Sequence, residues 1–343
     1  MNIPQRIPVV LGFIAIFCVL VFGFVAGSSV IRRAWNARGA SISVTNSSPV
    51  ARLSGETLTQ EAPNPRDEQP TSTRPTTILF AGDIMLDRNV KIRSQKAGSR
   101  GYPFANFPQS WVDSFDYAVA NLEGPVTPVR RPPEKSIDFQ FDPEVLPALK
   151  ETGFDAFSQA NNHALDQGHA GYEDSLRLLR EAGFTAFGHQ VQDGMPSLAT
   201  TTIQGTTFAF FGWNTTDNPL DRQAAAETIR FAGTQATYRI AYLHWGPEYR
   251  DRPHQNEQEL AHWLIDQGID VVIGGHPHWV QGISSYKGKP IVWSLGNFVF
   301  DQDFSLPTKQ GLAVGLAFAD GRVSVDLHPV RIIASQVSLE TDE

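Results

Sequence analysis

The sequence predicts an α/β domain with mixed sheets, preceded by one transmembrane helix and a flexible linker. Three observations lead there. A module of helix, glycine, short apolar strand and then histidine occurs as "LKETGFDAFSQANNH", "LREAGFTAFGHQ" and "LIDQGIDVVIGGHPH". The closing strands are joined by short glycine-containing turns. An uncharged N-terminal run gives way to a polar, proline-rich stretch before the first of these elements.

From Ile7 to Ile31 no charge occurs between Arg6 and Arg32, and that run is long enough to cross a hydrocarbon core as a helix. Ala26, Gly27 and Ser28 offer a competing signal-peptide reading, but the apolar region exceeds the usual signal length. Residues 1–33 therefore read as an uncleaved anchor in the lipid bilayer, single-pass in the cell membrane with the soluble domain outside. Arg32, Arg33 and Arg38 after the helix, against Arg6 before it, argue for the opposite orientation. Residues 34–75, with stretches such as "EAPNPRDEQPTSTRPTT", lack the apolar surface to offset ordering entropy and read as a disordered linker. The folded domain is expected over 76–335, with a tail over 336–343.

Within that domain the apolar runs predict strands at 76–82, 117–121, 154–158, 206–213, 238–245, 269–275, 290–296, 311–318 and 322–328. Helices are predicted at 144–152, 171–182 and 255–267, the last with Leu260, Trp263 and Leu264 at helical spacing. Gly153, Gly183 and Gly268 stand where a helix needs a left-handed C-cap before the chain turns into the sheet. Helix followed by short strand implies parallel strands under helices, while the closing strands read as antiparallel.

The chain has 343 residues, 41% of them hydrophobic, and a formal charge of −8 without a basic stripe, which excludes a nucleic-acid footprint. Its single cysteine, Cys18, lies in the apolar run, so the soluble part has neither disulfides nor thiolate ligands. Any metal must be held by His, Asp, Glu or Asn. In α/β sheets function gathers where strands end, and the residues just past the predicted strands are Asp83, Glu123, Asn162, His163, His244, His276 and His278. That set suits a hard or borderline divalent ion. At a turn after Gly274 and Gly275, stiffened by Pro277, both histidines of "GGHPH" can reach one site, as a two-ion centre requires.

Each of these residues also has a plain reading. Asp83 can cap a turn, Asn161 and Asn162 can form one, Glu123 can be a surface loop acid, and Asp166 a helix or turn cap. "SLGNFVFD" reads as structural closure of the pocket, and His189 and His254 as ordinary turn residues.

"GDIML", "NLEG", "NNHALDQG", "HWGPEY", "GGHPHWVQG" and "SLGNFVFD" together resemble the motif series of the CapA family (capsule synthesis, poly-γ-glutamate), itself similar to calcineurin-like metallophosphoesterases. The resemblance covers roughly Thr76 to Asp301. It implies a four-layer α/β/β/α metallophosphatase-like sandwich, membrane attachment, and a role in making, exporting or anchoring a poly-γ-glutamate capsule. It also implies metal ligands at Asp83, Glu123, Asn162, His244, His276 and His278, holding one or two divalent ions such as Mn, Zn or Fe. His163 would be the catalytic histidine, oriented by Asp166, and Arg88, Arg250 and Arg252 would steer an anionic polymer or phosphoester substrate. One departure stands out: where the phosphoesterase pattern has Asp-x-His, this chain has Asp83-Ile84-Met85, and a thioether is a poor ligand for Mn or Mg. A non-catalytic scaffold working with membrane ligase subunits, and a general envelope metallophosphoesterase, are the alternatives.

Overall fold

Along "TTILFAGDI" apolar side chains alternate between two faces, as a strand buried on both sides requires. Ile78 and Phe80 face one core while Leu79 and Ala81 face another, all four fully buried. The computed structural model describes residues 42–43, 74–188 and 198–340, and this double-sided burial recurs in both of its sheets.

The strands are β1 (Ile42–Ser43), β2 (Thr76–Ile84), β3 (Tyr117–Leu122), β4 (Ala156–Ser158), β5 (Thr185–Phe187), β6 (Leu198–Ile203), β7 (Thr206–Asn214), β8 (Tyr238–His244), β9 (Val271–Gly275), β10 (Val280–Tyr286), β11 (Lys289–Leu295), β12 (Asn297–Val299), β13 (Gln310–Ala319), β14 (Arg322–Ile333) and β15 (Gln336–Leu339). The helices are α1 (Arg88–Ala97), α2 (Gln109–Val112), α3 (Leu146–Glu151), α4 (Gly168–Glu181), α5 (Arg222–Ala232) and α6 (Gln255–Gln267). The first sheet runs β1-β14-β13-β2-β3-β4-β5, with β12 pairing β2 and β15 pairing β14; the second runs β10-β11-β9-β8-β7-β6. Strands reached through a helix pair in parallel (β3 on β4, β4 on β5, β8 on β9), and those joined by tight turns pair antiparallel (β13 on β14, β10 on β11).

The two sheets pack face to face. Ile78, Phe80 and Val314 of the first meet Phe210, Ile240 and Ile273 of the second. On the outer face of the first sheet Ala118 and Ala120 pack with Leu149, Phe154 and Leu179, and on the outer face of the second Phe211, Ala241 and Leu243 pack with Ile229, Leu260 and Leu264. The layering is therefore α/β/β/α, and each fully buried Phe in it contributes about 1.5–3 kcal/mol of burial free energy. Gly153, Gly183 and Gly268 take φ of +97°, +81° and +112° where helix gives way to strand, a backbone state that a side chain would strain.

At its edges the structure departs from expectation. Gln336–Leu339 forms β15 on β14, and the Glu340 N–H donates to Pro329 O, so the sheet continues beyond residue 335 into the segment expected as a tail. Ile42 and Ser43, within the expected linker, pair with Val325 and Ser324. Arg74 binds the Asp116 carboxylate at 2.5 and 2.9 Å, just before β2 begins. The predicted transmembrane helix over 7–31 lies outside the described residues, as does His189; no helix among the described residues is long and apolar enough to cross a membrane.

Candidate metal centre

The ends of β2, β3, β8 and β9 meet where the two sheets converge, and glycines let them approach. A Cβ at Gly82 would lie 2.0 Å from Gly296 O, and one at Gly275 would lie 2.8 Å from Asp83 Oδ1. With those atoms absent, the Asp83 N–H donates to Gly296 O and the His276 N–H donates to Asp83 Oδ2 at 3.1 Å. The first sheet thus delivers Asp83 into the turn that carries the paired histidines of the second. His276 and His278 both take positive φ, +91° and +57°. For non-glycine residues that geometry costs of order 1–3 kcal/mol each, and it persists where the surroundings over-determine it.

Around this junction the side chains converge. Asn162 Oδ1 lies 2.8 Å from His244 Nε2, which is 3.1 Å from His276 Nδ1. Asn121 donates to Asp83 Oδ1 at 2.8 Å. His278 Nδ1 is 2.9 Å from Asn297 Oδ1; an amide oxygen only accepts, so Nδ1 is the donor in this contact and Nε2 is turned toward the carboxylates. That Nε2 faces Glu123 Oε1 at 3.9 Å and Glu248 Oε1 at 4.0 Å. Ligand atoms of Asp83, Glu123 and His244 lie within 4.8 Å of one another, and so do those of Glu248, His276 and His278.

Burial gives the cluster its electrostatic character. Glu123 is wholly buried, and neither carboxylate oxygen has a hydrogen-bond partner. Burial first, then the charges of Asp83, Glu248 and Asp166, pushes its carboxyl well above the usual range. Burial likewise holds His244 well below the ordinary imidazole value, and brings His276 down to about 3, with His278 adding to both shifts. A neutral imidazole is the state in which histidine binds a cation, and a cation among these groups would offset the burial and repulsion that hold Glu123 toward its protonated form. An orphaned carboxylate of this kind is costly when unpaired, so the residues present fit a divalent ion.

His163 sits at the edge of the cluster. Its Nδ1 is 2.6 Å from Asp166 Oδ2, which also accepts from the Phe139 N–H at 2.8 Å, and its Nε2 faces Glu123 Oε1 at 4.0 Å. Lys135 Nζ reaches both Asp166 Oδ1 and the Asn162 carbonyl, at 2.5 and 2.6 Å. Arg88 is bound to Asp301 and lies over the rings of Phe139 and Phe300 at 5.1 and 5.8 Å, beside the cluster. The other two arginines are elsewhere. Arg250 is exposed and offers only its carbonyl, to Gln281; Arg252 is exposed and pairs with Asp251 at 3.7 Å. Neither is brought onto the cluster by a contact among the described residues. His254 caps α6, its N–H donating to Glu257.

Four further residues belong to the site beyond those the strand-edge pattern marks. Glu248 lies inside "HWGPEY", four residues past His244, and Asn121 immediately precedes "LEG". Asn297 lies in the segment read as closure, and Lys135 in an irregular loop without a motif.

The fold and cluster define a two-sheet α/β domain with a buried site suited to divalent cations. The profile of the bacterial capsule synthesis protein family PGA_cap matches residues 77–302, and the chain belongs to that family. It is 30% identical over 271 residues to the PGA biosynthesis protein CapA of Bacillus subtilis (strain 168), covering 74% of this chain and 70% of that one. It is 29% identical over 280 residues to the capsule biosynthesis protein CapA of Bacillus anthracis, covering 75% and 67%. Among solved structures, a hypothetical protein from Thermus thermophilus superimposes with a TM-score of 0.50 at 16% identity, over 77% of this chain and 100% of that one. That likeness is one of fold alone.

Proposed function

We propose that this chain acts in capsule or poly-γ-glutamate biosynthesis, export or anchoring through a metallophosphatase-like, divalent-metal hydrolase site, and that it does so at the cell membrane, held in the bilayer by residues 7–31 with its folded domain outside. The observation that carries the enzymatic part is Glu123: a wholly buried carboxylate with both oxygens unpartnered, facing His163 and His278. Asp83, Glu123 and His278 would hold one ion, and Asn162, His244 and His276 a second, with Mn, Zn or Fe as candidates. Bound there, divalent cations supply Lewis-acid stabilisation of negative charge developing on an ester or anionic polymer bond.

The chain's own groups supply the rest. Asp166 accepts from His163 Nδ1–H and so stabilises the imidazolium, the form whose Nε2–H would pass a proton to a leaving oxygen and leave the Nδ1–H tautomer behind. The Phe139 ring, 4.1 Å from that of His163, holds the imidazole and excludes water from one side. Arg88, fixed by Asp301, lies where it can meet an anionic substrate.

Full-length chain in detergent, assayed for metal and offered model phosphodiesters and γ-glutamyl polymer, tests this. Bound Mn, Zn or Fe and turnover, both lost in His276→Ala, are expected; a metal-free chain inert on both substrates refutes it. One observation favours a second reading, a scaffold subunit beside membrane ligase subunits: Met85 is fully buried in the core, its Sδ accepting the Asp87 N–H at 3.1 Å, so that position offers no ligand. Co-purification with such subunits without turnover would select it. Protease accessibility in intact cells tests the topology.

A further inference from the structure

Met85 is buried in the core and offers no ligand to the cluster, whereas the loop after β8 brings a carboxylate to it. That loop is clamped: Gly246 and Tyr249 both take positive φ, +74° and +59°, and the Tyr249 N–H donates to Pro277 O at 2.9 Å. The clamp ties "HWGPEY" to the turn of "GGHPH" and sets Glu248 beside His278. There His278 Nε2, on the side of the ring away from the Asn297 contact, is flanked by Glu123 Oε1 at 3.9 Å and Glu248 Oε1 at 4.0 Å. Two carboxylates converging on one point repel each other unless a positive charge lies between them. Three left-handed non-glycine residues, Tyr249, His276 and His278, hold this arrangement. Such strain is kept where the surroundings fix a functional geometry.

We propose that Glu248 is a metal ligand beside His278, within reach of His276, so that the centre holds two ions. The inference rests on the reading of the cluster as a metal centre. It also sets the character of that position: Glu123 and Glu248 present oxygen to His278 Nε2, an oxygen-rich set suited to Mn(II). Glu248 is the most exposed member, its side chain 39% accessible, so the ion it holds is the one open to solvent and to an incoming substrate.

The test is metal stoichiometry, independent of turnover. Full-length chain stripped with chelator and titrated with Mn(II) is expected to bind two ions and to give the electron paramagnetic resonance signal of a spin-coupled pair. Glu248→Gln is expected to keep one site, to weaken the other at least tenfold, and to give the six-line signal of isolated Mn(II). Equal unfolding midpoints of wild type and Glu248→Gln in chelator are expected and exclude loss of the fold as the cause. Two ions bound with unchanged affinity and coupling by Glu248→Gln overturn the role of Glu248 and leave the metal centre standing. A wild type that takes up no Mn(II) overturns both.

Discussion

Glu123→Gln should invert the stability ranking of this protein when metal is added. In the metal-free fold Glu123 is 0% exposed, both its oxygens lack partners, and Asp83, Glu248 and Asp166 oppose its ionisation. The nearest imidazole nitrogens, His278 Nε2 at 3.9 Å and His163 Nε2 at 4.0 Å, are beyond hydrogen-bond reach. A buried unsatisfied polar group costs about 1–3 kcal/mol, more when charged, and the amide relieves the charged part of that cost. In chelator the variant should therefore be more stable than wild type by about 1–2 kcal/mol. With Mn(II) at a hundred times its dissociation constant, wild type should gain about 2.7 kcal/mol through binding linkage, and the variant little of it. Urea unfolding at pH 7, with chelator and with Mn(II), measures both differences. A variant less stable than wild type in chelator, or equally stabilised by Mn(II), would show that Glu123 is a structural acid and refute the reasoning.

Asp166→Asn should lower kcat about a hundredfold with KM and metal content unchanged, because a neutral amide does not stabilise the His163 imidazolium that carries both the Nδ1 and the Nε2 protons; an unchanged kcat would remove the orienting role. In chelator, stability should fall as pH drops below 6.5. His276 has a folded value of about 3 against an ordinary 6.5, and His244 is lowered too, so the unfolded chain binds protons there first. The stability these residues give is present above 6.5 and is lost on acidification, by up to about 1.4 kcal/mol per pH unit for each. Glu123, with a raised value, works in the opposite sense above 4.5, one group against two. A urea midpoint that stays level between pH 8 and 5 would contradict this. Gly274→Ala should cost about 3 kcal/mol or prevent folding, since a Cβ there would sit 2.0 Å from Trp293 O and 2.6 Å from the Trp245 indole nitrogen; near-native thermal stability would show that β9 and β11 can separate.

What the sequence reveals depends on how much apolar surface an element buries. β2, β7, β8 and β9 are dense with Val, Ile, Leu and Phe and read to within two residues at either end. β6 and β10 are half-exposed and rich in Thr, Ser and Gly, and they carry no clear alternation. α1 buries only Val90 and Ser94, too little to form an apolar stripe. The site divides similarly. Residues immediately past a strand are legible because strand ends at a sheet edge converge. Glu248 is not, because its place depends on the loop clamp between Tyr249 and Pro277, a contact between backbones that no spacing encodes. Asn297 looks like a turn former by composition, yet its amide oxygen is what orients His278.

The cluster belongs to neither sheet alone. Asp83, Glu123 and His163 come from the first sheet and its loops, while His244, His276, His278 and Glu248 come from the second. Direct polar ties across this boundary include Tyr242 OH to Ala81 O, the His276 N–H to Asp83 Oδ2, His244 Nε2 to Asn162 Oδ1 and His278 Nδ1 to Asn297 Oδ1. Docking the sheets brings the buried carboxylates of Asp83, Glu123 and Asp166 and the exposed one of Glu248 into one neighbourhood. Hydrophobic burial between the sheets must therefore overcome a repulsion that grows as they close. Cations at the junction reverse the sign of that term, so ligand binding and sheet docking are coupled through the same few residues. Docking also favours the neutral forms of His244 and His276, since burial lowers both. The glycines at 82 and 275 follow from the same requirement, since a side chain at either position would hold apart the two edges whose contact builds the site.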